Sequence, residues 1–563
     1  MRRTRGRFVG ALSLPRSRLA ARLGVDVREL ACLAGIILGG AALRFVNLPG
    51  RGGWDSDQGT SMLDLRWALS TGQMPTFGPL SSLMTFHHGA LYYDLIMPAA
   101  WLGNGDPVWV VAEIALLSLL VIPAVWWIAR TIGGSAAGLT AAFLAATSAS
   151  LISYATFIWN PTLVEPGAAV AYLGAWQAIR TKRAAWWLVA AVGGAVVAQA
   201  HVAAALILLP LGAAFVVDLS RGPATRRRSV AIYGLVGGAI FVATYLPFIV
   251  WELGHNFTET RGILAYFSTP GSPASQGPLV RVVVAAIRIL AWPLTRWPQI
   301  DLRPAFPVAF VVASTTFIGL IWRLGVASGW NRREPTSQPG PSDPEATEPA
   351  PRQASGDVGL AFERLGVRLI GGWLLLLILA LGLGLRDVSQ VQELPTEQYH
   401  VIVDPLVLVA VGLIVGGLWR ALPGRSLTIA RRGTAVVFMV ALLVWNAGHW
   451  PPMAAYDGGW PSAQAAANRI ERDAAGSSVA FVPLFAAKGS DAYLYPLTRD
   501  GGSIVTAERA TTIVVLCDTF WTPGCGGSAE EAWRAQSGPR TLIQIDRFAA
   551  APDRILTVYQ RAP

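Results

Sequence analysis

Charged residues are scarce in this 563-residue chain. Only 14% of its residues are Asp, Glu, Lys or Arg, whereas 53% are hydrophobic. A soluble domain carries about 25% charged residues, so a deficit of this size excludes a wholly soluble protein. It predicts instead that most of the chain lies in lipid. The 22 Trp agree with this interpretation, because Trp concentrates at membrane–water interfaces.

Cysteine is also rare, and two common sequence signals are missing. Three Cys exclude a disulfide scaffold and a Cys-rich metal protein. No Gly-x-x-x-x-Gly-Lys motif occurs, which excludes a nucleotide-binding P-loop of that type. No small-residue cleavage site follows the first apolar run, so we expect no cleaved signal peptide.

Long apolar runs are what the sequence has in abundance. Runs of near-spanning length predict about eleven transmembrane helices, at about 30–46, 108–129, 135–154, 162–179, 185–199, 202–218, 230–250, 306–322, 368–385, 401–419 and 433–449. The chain is therefore predicted to be an α-helical polytopic membrane protein with its transmembrane domain at residues 29–450. Residues 1–28 carry eight Arg and are predicted to form a basic cytoplasmic tail.

The basic residues between these runs predict the orientation. In a soluble protein the net charge of +11 would favour nucleic-acid binding, but here the charge lies in short loops, so we expect no nucleic-acid partner. Loops on the N-terminal side hold Arg130, Arg180, Lys182, Arg183, Arg221, Arg226, Arg227, Arg228, Arg425, Arg431 and Arg432. The loops at 155–161 and 199–201 hold no Lys or Arg. The positive-inside rule thus predicts a cytoplasmic N-terminus and an extracytoplasmic C-terminus, in a bacterial plasma membrane.

Four segments differ in composition from the spans. Residues 47–107 and 251–305 are predicted to be long external loops. Residues 331–357, rich in Pro, Ser and Glu, are predicted to be a disordered cytoplasmic linker. Residues 451–563 combine helix-like and β-rich runs, which predict a small extracytoplasmic α/β domain.

Two cysteines of this last domain lie close together in the sequence. Cys517 and Cys525 are eight residues apart on the side predicted to be oxidising. This spacing and location favour a disulfide between them. Two free thiols are the alternative.

Candidate catalytic residues lie in the segments predicted to be external. Asp55 and Asp57 directly follow the first span, and carboxylates two residues apart can share a divalent cation, or one can act as a general base. A solvated turn is the alternative for this pair. His87 and His88 could bind a phosphate or a metal, or form an interfacial turn with aromatic anchors.

Further polar residues fall on the same predicted face. They stand where other spans begin or end, and as alternatives they could be turn or anchor residues. They are His201, Glu252, His255, Arg261, Tyr399 and His400, with a Trp159-Asn160-Pro161 turn. Polar residues with unrelated structural roles would be expected on both predicted faces of the membrane. We therefore predict a polar site at the extracytoplasmic membrane surface.

The order and spacing of these motifs resemble those of the GT-C superfamily of membrane glycosyltransferases. The branch with protein mannosyltransferases and the lipid A aminoarabinose transferase is the most similar, over about residues 30–450. The matching stretches are Asp55 to Gln58, His87 to Tyr93, Trp159 to Pro161, Glu252 to Phe257, and Tyr399 with His400. The resemblance implies a GT-C-like transmembrane fold.

This resemblance also implies an activity, which is inverting transfer of a sugar from a polyprenyl-phosphate donor to a hydroxyl of a lipid, glycan or protein acceptor. Asp57 would be the general base, and Asp55 an assistant or metal ligand. Residues implied for the donor phosphate or substrate are His87, His88, His201, Glu252, His255, Arg261, Tyr399 and His400. Gln58 stands where the family usually has Glu, so no cofactor is assigned and a divalent cation is left open.

Other functions are compatible with a bundle of spans. A transporter or flippase of a lipid-linked or small polar substrate would use charges within the spans, of which Glu113, Glu165 and Asp404 are the main ones. The matching halves typical of transporters are not seen in the sequence. A glycan polymerase or ligase of another fold would share the substrate class. A non-catalytic scaffold gives no reason for the acidic and His clusters to share a face.

Overall fold

The computed structural model describes residues 24–562 apart from 82–85, 269–275, 297–301, 329–350, 386–396, 421–424, 486–488 and 537–541. Most of the described chain is helical. The helices of its first half are α1 (Val27–Phe45), α2 (Leu48–Arg51), α3 (Ser56–Thr71), α4 (Leu91–Leu102), α5 (Pro107–Ser118), α6 (Val121–Gly133), α7 (Ser135–Thr147), α8 (Ala149–Tyr154), α9 (Val164–Thr181), α10 (Trp186–Ala200), α11 (Leu208–Arg221), α12 (Ala224–Thr244), α13 (Leu246–Gly254) and α14 (Thr258–Ser268).

The second half adds longer helices and a sheet. Its helices are α15 (Pro278–Thr295), α16 (Leu302–Ser328), α17 (Pro351–Gly384), α18 (Asp404–Trp419), α19 (Arg425–Gly448), α20 (Gly459–Ala474), α21 (Asp491–Arg499) and α22 (Ser528–Gln536). The strands are β1 (Val479–Pro483), β2 (Thr512–Asp518), β3 (Leu542–Ala551) and β4 (Arg554–Arg561). Short 3-10 helices at Asn160–Leu163, Val202–Ile207, Glu397–Tyr399 and Val401–Val403 connect the bundle helices.

The length and apolar character of these helices make the chain a multi-pass membrane protein. Among the described residues, seven helical segments are long and apolar enough to cross a membrane, or eight if the bent pair α12 and α13 forms one span. The predicted first span coincides with α1, which carries charges at both ends and is not one of the seven. Its Arg44 is buried and donates to Ser118 Oγ and to the carbonyls of Ala145 and Ala146 at 3.0–3.1 Å. This charge is therefore accommodated inside the bundle.

Within residues 251–305, which the sequence predicted as one external loop, the structure has the apolar helix α15. It is one of the seven segments that are long and apolar enough to cross a membrane, although Arg281 and Arg288 lie within its apolar run. Arg281 donates to the carbonyl of Leu383 at the end of α17 (3.0 Å), and Trp292 Nε1 donates to Ser150 Oγ (2.8 Å). The first contact joins the start of α15 to the end of α17, and the second joins its C-terminal half to α8.

The predicted linker falls mostly outside the described residues, which resume at 351. Its last seven residues, predicted to be disordered, belong to α17. The predicted tail at 1–28 is described only from residue 24. The predicted loop 47–107 holds α2, α3 and α4.

The centre of the bundle is α18, which is almost entirely buried. It packs against α6 and α7 on one side and against α16 and α17 on the other. A Cβ added at Gly412 would lie 2.6 Å from the carbonyl oxygen of Ala137 in α7. Glycine at this position thus lets the two helix backbones approach closely.

Residues 459–561 form the C-terminal α/β domain. Its four-stranded sheet has the order β1-β2-β4-β3, in which only the β1–β2 pair is parallel. Cys517, in β2, and Cys525 are joined by a disulfide. The domain docks on the first loop, where Trp54 Nε1 donates to the carbonyl of Ala492 at 2.7 Å. A Cβ at Gly59 would lie 2.2 Å from Asp491 backbone atoms, so α3 and α21 pack with no space for a side chain there.

Candidate active site

A cavity of about 720 Å³ lies where the first loop, the bundle and the C-terminal domain meet. Each of the three parts contributes charged or aromatic side chains to its wall. They include Arg51, Asp55, Tyr154, Trp292, Arg296, Glu397, His449, Asp457, Asp553 and Arg554. The arrangement places carboxylates and guanidinium groups together at one end of an apolar bundle.

Asp55 reaches the cavity because it caps α3. Its Oδ1 accepts from the backbone N–H of Ser56 (2.6 Å), and Gln58 Oε1 accepts from the backbone N–H of Asp55 (2.8 Å), which forms a capping box. Gln58 Nε2 also donates to the carbonyl of Ile158 (2.7 Å). Because a carboxylate cannot donate, only an amide makes both contacts, which accounts for Gln where the resembled family usually has Glu.

Arg554 connects the C-terminal domain to this carboxylate. Its Nη2 lies 3.4 Å from Asp55 Oδ1, and its Nη1 donates to the carbonyl of Trp54 at 2.9 Å. Asp457, Asp518 and Asp553 lie within 4.0 Å of the same guanidinium. Burial opposes the charged form of Arg554, but the surrounding carboxylates outweigh it and raise its pKa above the ordinary value. The guanidinium therefore stays charged and holds Asp55 in place.

Asp57 lies on α3 outside the cavity wall, and its side chain is exposed. Burial raises the pKa of the neighbouring Tyr92, and the negative charge of Asp57 adds to that shift. The structure therefore separates the two carboxylates that the sequence placed together, and only Asp55 lines the cavity. In the described part of the chain, no group of three His, Cys, Asp or Glu side chains is arranged to hold a metal ion.

Two of the five predicted histidines stack on each other outside the cavity wall. The rings of His88 and His201 stack with centroids 5.2 Å apart, and His201 is also 5.2 Å from Tyr399. Burial lowers the pKa of His88 to about 4 and that of His201 to about 3. His400 accepts from Arg288 Nε (3.3 Å), and burial lowers its pKa as well. These imidazoles are thus neutral at pH 7, and none of them lines the cavity.

The remaining predicted residues make local contacts. His87 pairs with Glu259 through its backbone N–H (2.7 Å) and its Nδ1 (2.9 Å). Glu252 accepts from two backbone N–H groups at the start of α14, both at 2.9 Å. His255 stacks on the Trp251 ring with centroids 3.9 Å apart, and Arg261 donates to the carbonyl of Phe257 at 3.4 Å. None of the four lines the cavity.

Several cavity residues were not selected from the sequence. Glu397 precedes the predicted Tyr399 and His400 by only a few positions, so that motif already contained it. Burial raises the pKa of Glu397, and its Oε2 has no hydrogen-bond partner among the described residues. Arg296 donates to the carbonyl of His449 at 3.3 Å. Burial lowers the pKa of Arg296, and the negative charge of Glu397 partly offsets this shift.

No family model matches this chain, and neither does any curated protein. Among solved structures, ArnT from Cupriavidus metallidurans in the apo state is 12% identical over 96% of this chain and 98% of its own, with a TM-score of 0.52. The same protein bound to undecaprenyl phosphate is 11% identical over 95% and 98%, with a TM-score of 0.53.

At this level of identity the likeness is one of fold, and it extends over almost the whole of both chains. Because the match covers 96% of this chain, it includes the C-terminal domain as well as the bundle. The resemblance that the motifs indicated is thereby confirmed for the architecture. This chain has the GT-C fold.

Proposed function

We propose that this protein is a glycosyltransferase that moves a sugar from a polyprenyl-phosphate donor to an acceptor hydroxyl with inversion. The observation that carries the proposal is the cavity at the end of an apolar bundle, whose wall contains the Asp55 carboxylate and the guanidinium groups of Arg51 and Arg296. The fold supports it, since ArnT, with the same fold, has been crystallised with undecaprenyl phosphate.

The cavity provides the two charges that such a transfer needs. A carboxylate takes the proton of the acceptor hydroxyl while the hydroxyl oxygen attacks the anomeric carbon. The bond from that carbon to the phosphate oxygen breaks, and the polyprenyl phosphate leaves with the electron pair. Cationic side chains stabilise the charge that develops on the leaving phosphate.

Of the two candidate carboxylates, we assign the base to Asp55. The family resemblance implied Asp57, but Asp55 is the one in the cavity wall. For the leaving phosphate we assign Arg296 and Arg51. Arg554 is held by four carboxylates and has less positive charge to offer a ligand.

The test is sugar transfer by membranes supplied with a labelled polyprenyl-phosphate sugar. General-base catalysis contributes about 10²- to 10⁴-fold, so Asp55→Asn should lower turnover by at least about 100-fold. Asp57→Asn is the matched control and should retain most of the activity. Arg296→Gln should raise the KM for the donor. Normal transfer by a well-folded Asp55→Asn variant would remove Asp55 as the base. A larger loss of turnover in Asp57→Asn than in Asp55→Asn would assign the base to Asp57.

A transporter or flippase of a lipid-linked or small polar substrate is the second candidate, and one observation favours it. Glu165 in α9 and Asp404 in α18 are both fully buried within the bundle. The two carboxyl groups interact with each other inside the bundle. Under this alternative, Asp404→Asn would abolish substrate movement while Asp55→Asn would not.

A further inference from the structure

A second cavity, which the proposed activity does not use, lies at the opposite end of the bundle. It is a groove of about 650 Å³ between α9, α11 and α17, at the end of α9 that holds Ile179 and Lys182. The other end of α9 begins at Val164, seven residues after Phe157, which lines the first cavity. At 1.5 Å per residue, the 18-residue helix separates the two ends by about 27 Å.

The floor of the groove is apolar. Leu365, Leu369, Gly372 and Leu376 line it from α17, and their spacing of four, three and four residues places them on one helix face. Opposite them, α11 contributes small apolar side chains such as Ala213. At Gly372 an added Cβ would meet nothing within 4 Å, so the missing side chain leaves open space in the groove.

The rim of the groove is basic. Four basic side chains line it against the single carboxylate of Asp218, which pairs with Arg226 and also accepts from Trp187 Nε1 (3.0 Å). The other three basic residues, Lys182, Arg221 and Arg368, are exposed. Within the described chain, none of these three has a carboxylate partner within 4.0 Å.

We propose that this groove binds an anionic phospholipid, with the phosphate at Lys182, Arg221 and Arg368 and an acyl chain along α17. An apolar slot alone would accept any lipid. The unbalanced positive charge at its mouth selects a negatively charged headgroup, as basic pockets between transmembrane helices do. The sequence predicts this end to face the cytoplasm, where such pockets meet anionic lipid.

Native mass spectrometry of the purified full chain, titrated with phosphatidylglycerol or phosphatidylcholine, tests this proposal without any measurement of sugar transfer. The wild type should retain phosphatidylglycerol in preference to phosphatidylcholine. Each removed charge should weaken the affinity for phosphatidylglycerol about fivefold. An Arg221→Gln/Arg368→Gln variant should therefore bind this lipid about 25-fold more weakly. The control is Arg227→Gln/Arg228→Gln, which removes the same charge from exposed residues outside the groove and should bind as the wild type does.

A third variant separates a lipid from a free anion. Gly372→Leu fills the slot without changing charge and should weaken phosphatidylglycerol retention, whereas a bound inorganic phosphate would be unaffected. Equal retention of the two lipids, equal losses in both double variants, or full retention by Gly372→Leu would each overturn the proposal. Displacement of phosphatidylglycerol by lower concentrations of undecaprenyl phosphate would overturn the assignment to a phospholipid.

Discussion

At the scale of single residues, the amide of Gln58 determines how the first loop presents its carboxylate. Gln58 is buried and contacts both the Asp55 backbone and the carbonyl of Ile158. The sequence alone showed only that a neutral residue stands where an acidic one is usual. The structure gives the reason, because one side chain has to accept and donate at once.

We therefore expect Gln58→Glu to destabilise the protein. The carboxylate cannot donate to Ile158, and an unsatisfied buried carbonyl costs about 1–3 kcal/mol. The thermal unfolding midpoint of the purified protein should fall, while Gln73→Glu, an exposed position two residues after α3, should leave it unchanged. An unchanged midpoint for Gln58→Glu would show that the contact with Ile158 contributes nothing.

Arg554 is the second residue whose role depends on position. If it holds Asp55 in place, Arg554→Gln should lower turnover about 10-fold or more, with a smaller change in donor KM, because the base loses its orientation. Arg554→Lys should recover part of the rate, since it keeps the charge. Arg534→Gln, an exposed Arg of the same domain, should behave as the wild type. Loss of donor binding alone in Arg554→Gln would instead make Arg554 a substrate ligand.

At the scale of structural elements, the loop before α4, the end of α10 and the turn before α18 meet in an aromatic cluster, in which the two histidines are buried and the tyrosine is half-buried. His88, His201 and Tyr399 come from three distant parts of the chain. Sequence analysis predicted each as a polar residue on one face. Their burial could not be predicted, because it depends on how the three elements pack.

We expect this cluster to make the fold sensitive to acid. The pKa values of His88 and His201 in the folded protein, about 4 and about 3, lie below the usual value near 6.5. The unfolded chain therefore binds more protons, and stability should be full above about pH 6.5 and fall as the pH drops towards 4. The unfolding midpoint should decrease over this window in the wild type and less so in His88→Gln.

The control for this experiment is His255→Gln, because His255 is exposed on Trp251. This variant should keep the acid sensitivity of the wild type. If His88→Gln and His255→Gln respond to pH in the same way, the aromatic cluster does not account for the effect.

At the scale of the whole molecule, α15 determines how many times the chain crosses the membrane. Counting it as a span would place the N- and C-termini on the same side. It is long and apolar enough to span, but it contacts Leu383 at the end of α17 and Ser150 in α8, so we expect both of its ends to remain on one side. On this expectation the C-terminal domain and the cavity would be extracytoplasmic.

Reporter fusions test this topology. A reporter after Pro563 should behave as extracytoplasmic and one within residues 331–357 as cytoplasmic. A fusion between α14 and α15 should report the same side as the C-terminus, because α15 does not cross. If the reporters after Pro563 and within 331–357 report one side, the number of crossings between them differs by an odd number from that expected here.

The sequence by itself determined the lipid environment, most of the helices and the mixed C-terminal domain. These depend on local properties, namely hydropathy over some twenty residues and the alternation of β-rich runs. The motifs from Asp55 to His400 indicated the fold, because their order along the chain is also readable without coordinates. Sequence analysis placed α15 within a predicted loop, although its mean hydropathy of 1.6 makes it a candidate span. Hydropathy alone does not say whether such a helix crosses the membrane, because that depends on its tertiary contacts.

Only the tertiary structure decided which carboxylate faces the cavity and what surrounds it. The sequence does not distinguish the roles of Asp55 and Asp57. In the structure Asp55 is the N-cap of α3 and Asp57 lies in its first turn, so their side chains point in different directions and only Asp55 lines the cavity. Arg554 lies 500 residues from the Trp54 carbonyl that it contacts, and no local pattern encodes that distance. Charge pairing across separate domains is a property of packing, and packing exists only once the chain has folded.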